Sequence, residues 1–293
     1  MKLGVFLPFA TPLADGPFLR AVGEAAEGAG FDSMWVAEHV VLFDEYASKY
    51  PYSADGRIPA GGASGILEPF GALSYLAACT STIRLGTGIC LVPQRNPVYT
   101  AKEAANVDWL SAGRLDLGVG VGWLAEEFRA VAVPFERRGE RCVSYLEVMK
   151  RLWCDDVSEY KDEFYELPAC RQYPKPVQKP HPPIHFGGES DAALRRVAQI
   201  GQGWYGFNVE PEQLAERLRA LDGFLAQRGR KRADVQITVS PYLREMSPKK
   251  LEAYHRAGAD QVILFAFARD AAGARFTLAK LAEDYLPTAH KLQ

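Results

Sequence analysis

A glutamate and a histidine stand side by side where a short apolar run ends. The run Trp35-Val36-Ala37 is followed by Glu38 and His39, and a long segment without helical or strand periodicity comes next. Histidine exchanges protons near neutral pH and a carboxylate can share that work, so the pair predicts general acid and base catalysis. Side chains alternate along a strand, so the two point to opposite sides while the strand lasts, and a structural histidine bonded to a loop carbonyl is the alternative.

Glycine occupies every second position near the end of another apolar run. Gly118, Gly120 and Gly122 precede Trp123, and a helical pattern starts directly after it. The spacing fails the dinucleotide fingerprint, which needs glycine where Trp123 stands. Such glycines let a backbone approach a ligand closely, and the following helix start offers N–H groups to an anion. The competing interpretation is that they only make room for large side chains from neighbouring strands.

A second glycine turn follows the run Ile184-His185-Phe186. Four residues come directly after it: Gly187, Gly188, Glu189 and Ser190. Ser190 or Asp191 is expected to cap the helix that begins there. Backbone N–H groups in such a turn can cradle a phosphate, so a phosphorylated cofactor is predicted at this place. His185 lies among apolar neighbours and is predicted to be a core histidine.

The elements that must position these residues alternate along the chain, with short apolar runs separated by segments of helical spacing. Eight runs are predicted to be strands: Leu3–Pro8, Ser33–Glu38, Ile83–Val92, Arg114–Gly122, Pro183–Phe186, Trp204–Phe207, Val235–Val239 and Gln261–Phe267. Strands alternating with helices indicate parallel βαβ units, and eight units in 293 residues predict an α/β fold, the (β/α)8 TIM barrel, rather than a doubly wound sheet. The strand ends that carry chemistry would then meet at the carboxyl-terminal face of the barrel.

Two stretches are too long to be ordinary connections. The first, at about 40–67, follows the second predicted strand, carries the aromatic residues Phe43, Tyr46, Tyr50 and Tyr52, and is predicted to be a lid over the site. The second, at about 155–183, separates the fourth and fifth strands, and its proline-rich end favours an extended path. Residues 1–293 are predicted to form a single domain with these two insertions.

Composition excludes several classes of protein. The 34 Lys and Arg residues nearly balance the 36 Asp and Glu residues, which argues against binding to nucleic acid or to an acidic membrane surface. No apolar stretch approaches the roughly 20 residues that cross a bilayer, and no signal peptide is recognisable, so a cytoplasmic protein is predicted. The five cysteines form no C-x-x-C pair and the five histidines are scattered, which predicts no metal site and no catalytic thiol.

Several motifs, spread over nearly the whole chain, are specific when they are taken together. They are Trp35-Val36-Ala37-Glu38-His39, Ile83-Arg84-Leu85-Gly86-Thr87-Gly88-Ile89, Asn96-Pro97 with Ala101-Lys102-Glu103, Leu110-Ser111-Ala112-Gly113-Arg114, the run from Gly118 to Trp123, the run from Gln178 to Pro183, and Gly187-Gly188. In these motifs the chain resembles the luciferase-like monooxygenase superfamily of flavin and deazaflavin barrels, and within it the branch of coenzyme F420-dependent oxidoreductases.

The resemblance implies a role for each motif. The bond between Gly88 and Ile89 would be a non-prolyl cis peptide that presses a bulge against one face of the cofactor ring. Glu38 and His39 would be the catalytic residues near the ring, with His39 as the proton donor or acceptor that accompanies hydride transfer at C5. The residues that would bind the cofactor are Gly88, Ile89, Gly122, Trp123, Gly187, Gly188, Glu189 and Ser190. A homodimer formed through outer helices is expected on the same ground.

One departure bears on the substrate. Trp123 stands where relatives that oxidise a sugar phosphate carry a glutamate acid, and Trp123 cannot move a proton. The aromatic lid instead suggests a bulky, fairly apolar substrate.

The resulting hypothesis is F420-dependent hydride transfer to or from an unidentified small molecule. The first alternative is an FMN-dependent two-component monooxygenase that a separate reductase supplies with reduced flavin. The second is a non-catalytic flavin-binding protein, and the presence of Glu38 and His39 counts against it.

Overall fold

The barrel consists of eight parallel strands. The computed structural model describes residues 1–7, 9–59 and 64–292. Its strands are β1 Lys2–Phe6, β2 Ser33–Val36, β3 Arg84–Thr87, β4 Leu115–Val119, β5 Ser158–Lys161, β6 Glu166–Cys170, β7 Ile184–Gly187, β8 Gly203–Phe207, β9 Gln236–Ser240 and β10 Gln261–Phe265. All except β5 and β6 pair in parallel and close in the order β1-β10-β9-β8-β7-β4-β3-β2. This closure confirms the predicted (β/α)8 fold.

Helices connect the strands on the outside of the barrel. They are α1 Gly16–Ala29, α2 Pro69–Cys79, α3 Pro97–Leu110, α4 Ala125–Ala130, α5 Arg138–Cys154, α6 Asp191–Ile200, α7 Pro211–Ala226, α8 Pro248–Ala257 and α9 Ala271–Lys291. Proline opens α2, α3, α7 and α8, where its missing N–H group costs no hydrogen bond. Within the described ranges, no helix has the length and apolar character to span a membrane.

All eight predicted barrel strands form, but five of them stop before their predicted ends. The first, second and eighth stop two residues early, the fourth three and the third five, at Phe6, Val36, Phe265, Val119 and Thr87. After Thr87 the chain turns through a cis peptide bond between Gly88 and Ile89, as the resemblance implied. The residues that could do chemistry therefore lie on irregular backbone just beyond the strands. Their side chains need not alternate between the two faces of the barrel wall, as they would within a strand.

The lower part of the barrel interior is polar, towards the amino-terminal ends of the strands. His185 is 1% exposed, and its Nε2 lies 3.5 Å from Oδ1 of Asp116, which also pairs with Arg84 at 2.6 Å. Burial alone would raise the pKa of Asp116, but the contacts with His185 and Arg84 outweigh it and lower that pKa to about 2. His185 is thus a core residue, as predicted.

A hairpin in the second insertion was not predicted. Strands β5 and β6 pair antiparallel, and the Asp162 carboxylate accepts the amides of Phe164 and Tyr165 in the turn between them. The strands are short and Pro168 lies inside β6, so the sequence carries little strand signal there. After the hairpin, residues 171–183 form neither helix nor strand, and the chain bends at 173–174 and 177–182, so the extended path that the prolines favour is not found there.

Gly118 in β4 is required by close packing against the bulge, which gives a test of the barrel wall. A Cβ atom at this position would lie 1.8 Å from the carbonyl oxygen of Thr87, a backbone atom. We expect Gly118→Ala to lower the free energy of unfolding by about 3 kcal/mol, measured by urea denaturation, because the wall must shift to admit the methyl group.

The matched control is Gly223→Ala in α7, where an added Cβ meets no described atom within 4 Å. It should raise stability by up to about 1 kcal/mol, because alanine favours a helix more than glycine does. Equal effects of the two substitutions would contradict the close packing at Gly118.

Candidate active site

A cavity of about 620 Å³ opens at the carboxyl-terminal ends of the barrel strands. Its wall is mostly aromatic and aliphatic: Phe6, Tyr50, Tyr52, Ile58, Ile66, Ile89, Leu91, Val121, Trp123, Tyr205, Phe207, Tyr242, Leu243, Phe265 and Phe267. Glu38, His39 and the Gly187-Gly188 turn also contribute to the wall, and in the described part of the chain no lysine or arginine does. A cavity of this size with few polar groups is typical of a site for a small organic ligand.

The side chain of Ile89 fills a hole between two neighbouring strands. A Cβ atom on Gly120 would lie 2.0 Å from Cδ1 of Ile89, and one on Gly187 would lie 2.7 Å from it. Any side chain at either position would push Ile89 out of place. Packing against Ile89 therefore accounts for glycine at 120 and 187, as the competing interpretation of the glycine run proposed.

His39 is held by a carboxylate from α4. Its Nδ1 lies 3.2 Å from Oε2 of Glu127, and Oε1 of the same carboxylate accepts the Val40 amide at 2.6 Å. The Glu127 side chain is 1% exposed. Because a carboxylate accepts hydrogen bonds, the contact favours the proton on Nδ1 and leaves Nε2 to exchange protons with a ligand in the cavity.

Glu38 lines the cavity, but its carboxylate is occupied by two partners. One carboxylate oxygen pairs with the Arg95 guanidinium and the other accepts the Leu91 amide. Burial raises the pKa of Glu38, while Arg95 and the Leu91 amide act in the opposite direction. Since both oxygens are engaged, the geometry supports an anchoring role for Glu38.

Arg95 joins the two ends of the lid segment. Besides Glu38, it binds the carboxylates of Glu68 at 3.1 Å and Glu103 at 2.6 Å. Glu38 lies just before the lid segment, and Glu68 caps α2, where that segment ends. One guanidinium, 12% exposed, therefore fixes where the lid leaves the barrel and where it returns.

The first part of the lid is held through its backbone. Glu127 accepts the amide of Val40, and Oε1 of Glu126 accepts that of Ala47 at 2.8 Å. The Ser48 hydroxyl in turn accepts the Ala125 amide at the start of α4. Burial alone would raise the pKa of Glu126, but hydrogen bonds from the Ser48 hydroxyl and the lid amides lower it to about 2. The two acidic residues of α4 thus fasten the lid.

Trp123 supports both the lid and the imidazole. Its ring packs edge-on against His39 at 5.9 Å, Tyr46 at 5.6 Å and Tyr50 at 5.2 Å between ring centroids. It also lines the cavity. The resemblance predicts a place along the cofactor tail, and the structure adds contacts to the predicted base and to two lid tyrosines.

The turn after β7 presents donors for an anion. Gly188 has a φ of +98°, a conformation that favours glycine, and the Ser190 hydroxyl accepts the Ala193 amide as the cap of α6. The amides of Asp191 and Ala192 precede the first intrahelical hydrogen bond, so they point out of the helix start. This arrangement fits the predicted phosphate site.

Glu189 in the same turn differs from its predicted role. Its carboxylate accepts the Tyr52 hydroxyl at 3.0 Å and the Phe207 amide at 2.8 Å. A carboxylate repels a phosphate, and this one contacts the lid and the end of β8 instead.

Two arginines near this turn were not predicted from the sequence. Nε of Arg138 donates to the Gly122 carbonyl at 3.0 Å, and the Arg196 guanidinium lies over Gly139, 2.9 Å from where a Cβ atom would be. Burial and, second, the Arg196 charge lower the pKa of Arg138. The Arg138 guanidinium packs over the Phe135 ring at 3.8 Å, and Arg196 lines a separate surface cleft with Gly139 and Gln199.

The fold and this site define a class of barrel enzyme in which a bulge, an imidazole and a glycine turn surround one cavity at the carboxyl-terminal face. The family description for luciferase-like monooxygenases matches residues 1–291. The chain therefore belongs to the luciferase-like monooxygenase family, whose members are oxidoreductases and monooxygenases.

Individual relatives agree with this assignment. A Mycobacterium tuberculosis protein of unassigned function is 33% identical over 231 residues, 79% of each chain. An FMNH2-dependent dimethylsulfone monooxygenase from Pseudomonas putida is 33% identical over 133 residues, which are 44% of this chain and 36% of that protein. The structure of the coenzyme F420-dependent tetrahydromethanopterin reductase from Methanopyrus kandleri superposes with a TM-score of 0.76 over 98% of both chains, at 16% identity. Cofactor use thus differs among similar proteins.

Arg95 gives a test of the lid anchor. We expect Arg95→Met to lower the free energy of unfolding by about 3–5 kcal/mol in urea denaturation, because the buried Glu38 carboxylate loses its counter-charge. Adding Glu38→Gln should recover part of this loss, since no buried charge is then left unpaired. The matched control is Arg129→Met, whose side chain is 78% exposed, with an effect within about 0.5 kcal/mol. A loss that Glu38→Gln deepens would show that the ion pair is not the anchor.

Proposed function

We propose that the protein is an F420-dependent oxidoreductase that transfers a hydride between C5 of the deazaflavin and a bulky, apolar organic substrate. His39 carries this proposal. Among the described residues it is the one imidazole that lines the cavity, and Glu127 directs its proton to Nδ1. Interconversion of an alcohol and a carbonyl requires one proton to move at the substrate oxygen, and Nε2 of a single imidazole can accept or donate it.

The residues of the cavity fit a ring with an anionic tail. The bulge at Gly88 and Ile89 would support one face of the ring, and the turn from Gly188 to Ser190 would hold the phosphate. Arg138, which donates to the carbonyl of the cavity residue Gly122, would add positive charge at that end. When bound, F420 supplies a carbon centre that accepts or donates a hydride and reacts poorly with oxygen.

The chemistry of the wall favours an uncharged, apolar substrate. Phe207 packs against Tyr52 and Tyr242, each at 4.7 Å between ring centroids, and Phe6 stacks on Phe265 at 6.0 Å. The described lining offers no lysine or arginine to a substrate phosphate. An aromatic wall gains most from burying apolar surface, so we propose a bulky alcohol or carbonyl compound as substrate.

An FMN-dependent monooxygenase is the second candidate. The observation that favours it is the local similarity to the Pseudomonas putida enzyme, whose name specifies reduced FMN. The same bulge and anion-binding turn would serve that cofactor, and a separate reductase would supply it in reduced form.

The experiment that separates the two candidates is titration of the purified protein with oxidised F420 and, separately, with FMN, followed by fluorescence quenching. We expect a Kd for F420 in the micromolar range or below, and FMN binding weaker by about tenfold or more, a difference of about 1.4 kcal/mol. A preference for FMN would move the protein to the monooxygenase class. Binding of neither would overturn the cofactor proposal.

The anion end of the site has its own control in this titration. Arg138→Met should weaken FMN binding by about tenfold, since a hydrogen bond to a charged group contributes about 1.5–3 kcal/mol. Binding of riboflavin, which lacks the phosphate, should stay within about twofold of the unmodified protein. Equal losses for both ligands would place Arg138 at the ring or show general damage to the site.

His39→Asn tests the proton role. The asparagine amide can still donate to Glu127 but offers nothing at the position of Nε2, so turnover should fall by about 100-fold or more while F420 affinity is unchanged. Turnover is measured by F420 absorbance with the alcohols and ketones that a substrate screen identifies, and His255→Asn on the outer helix α8 is the matched control. Unchanged turnover in the His39 variant would assign the proton work to another group.

A further inference from the structure

We infer that Glu189 positions the lid over the substrate side of the cavity, through Tyr52, and does not bind the cofactor phosphate. This inference rests on the proposed function for the identity of the two ligands, but the contacts that carry it are independent of the cofactor. It assigns a role in substrate recognition to a residue that lies in the turn proposed to hold the phosphate.

The two oxygens of the Glu189 carboxylate face different parts of the structure. Oε1 accepts the amide of Phe207 at the end of β8, at 2.8 Å, and Oε2 accepts the hydroxyl of Tyr52 in the lid, at 3.0 Å. The carboxylate therefore connects the barrel wall with the lid. Both partners are hydrogen-bond donors, which suits an acidic side chain, whereas an anionic ligand would meet repulsion there.

The hydrogen bond to Tyr52 places an aromatic ring in the cavity wall. The Tyr52 ring lies 4.7 Å from Phe207 and 5.5 Å from Tyr50, and Tyr50 in turn contacts Trp123 at 5.2 Å. These rings form a continuous surface from β8 to the loop after β4. If Tyr52 leaves its place, the surface that faces an apolar substrate is interrupted between Phe207 and Tyr50.

This contact holds a part of the lid that the carboxylates of α4 and Arg95 do not reach, where Tyr50 also packs against Trp123 and bonds to Tyr242. Glu126 and Glu127 bind amides between Val40 and Ser48, and Arg95 fixes the two ends. Tyr46 bonds within the lid itself, where its hydroxyl accepts the Ile58 amide at 2.8 Å. Tyr52 bonds to the turn beside the proposed phosphate site, so it ties the substrate wall to the cofactor end of the cavity.

The test compares Tyr52→Phe, Glu189→Ala and Glu189→Gln by hydrogen–deuterium exchange of the lid and by titration with F420 and FMN. We expect Tyr52→Phe and Glu189→Ala to speed amide exchange in peptides covering residues 49–59 by about tenfold, with the Kd of each cofactor within about twofold of the unmodified protein. Glu189→Gln keeps an acceptor oxygen and should restore part of the protection. With an identified substrate, KM should rise in the first two variants more than kcat falls.

The matched control is Tyr46→Phe, which removes a lid hydroxyl that bonds inside the lid and leaves Glu189 untouched. Its effect on exchange should be confined to the neighbourhood of Ile58. Weaker cofactor binding by about tenfold with unchanged lid exchange would overturn the inference and make Glu189 part of the cofactor site. Because exchange is measured without cofactor, a failure of the cofactor proposal leaves this test intact.

Discussion

The guanidinium of Arg95 is the interaction on which the site depends. It binds carboxylates from the end of β2, the start of α2 and the body of α3, namely Glu38, Glu68 and Glu103. Only Glu38 is buried with the guanidinium, while the side chains of Glu68 and Glu103 are 49% and 37% exposed, so solvent screens the excess negative charge. The position of His39 follows from this cluster, because His39 is the next residue after Glu38.

The bulge after β3 is the second constraint, and it acts on the wall next to that of β2. Its isoleucine occupies space that side chains at Gly120 and Gly187 would fill, so two adjacent strands are shaped around one residue. Thr87 and Cys90 also donate to the carbonyl of Gly118, which ties both sides of the bulge to β4. The protein interior is close-packed and has low compressibility, so Ile89 has little freedom to move. The surface that a ring would contact is therefore formed before any ligand binds.

The sequence predicted the barrel well because alternating apolar runs and helical periods are local signals. It also placed His39 and the Gly188 turn correctly at the carboxyl-terminal face. It failed where a partner is distant along the chain: Glu127 meets His39 across 88 residues, and Arg95 meets Glu38 across 57. No local pattern marks such pairs. The two acids in the first turn of α4, directly after the glycine run, are the one local signal of acceptors near the site.

Glu189 shows a different limit of sequence reasoning. Its place in a glycine turn at a helix start predicts contact with an anion. The one opposing signal in the sequence is its negative charge, which would repel that anion. The direction of a side chain depends on the surrounding tertiary structure, here on a tyrosine 137 residues away. The hairpin β5–β6 was missed for a related reason, because its pairing is set by the Asp162 turn rather than by strand composition.

The way in which α4 fastens the lid has a consequence for how this family could diversify. Glu126 and Glu127 bind main-chain amides, and every residue except proline has one. The identities of the side chains at 40, 41 and 47 are therefore not part of the fastening. All three side chains are exposed and lie outside the cavity lining, so substitutions there change the outer surface of the lid while its attachment persists. The outer face of the lid and the cavity beneath it are therefore under separate evolutionary control.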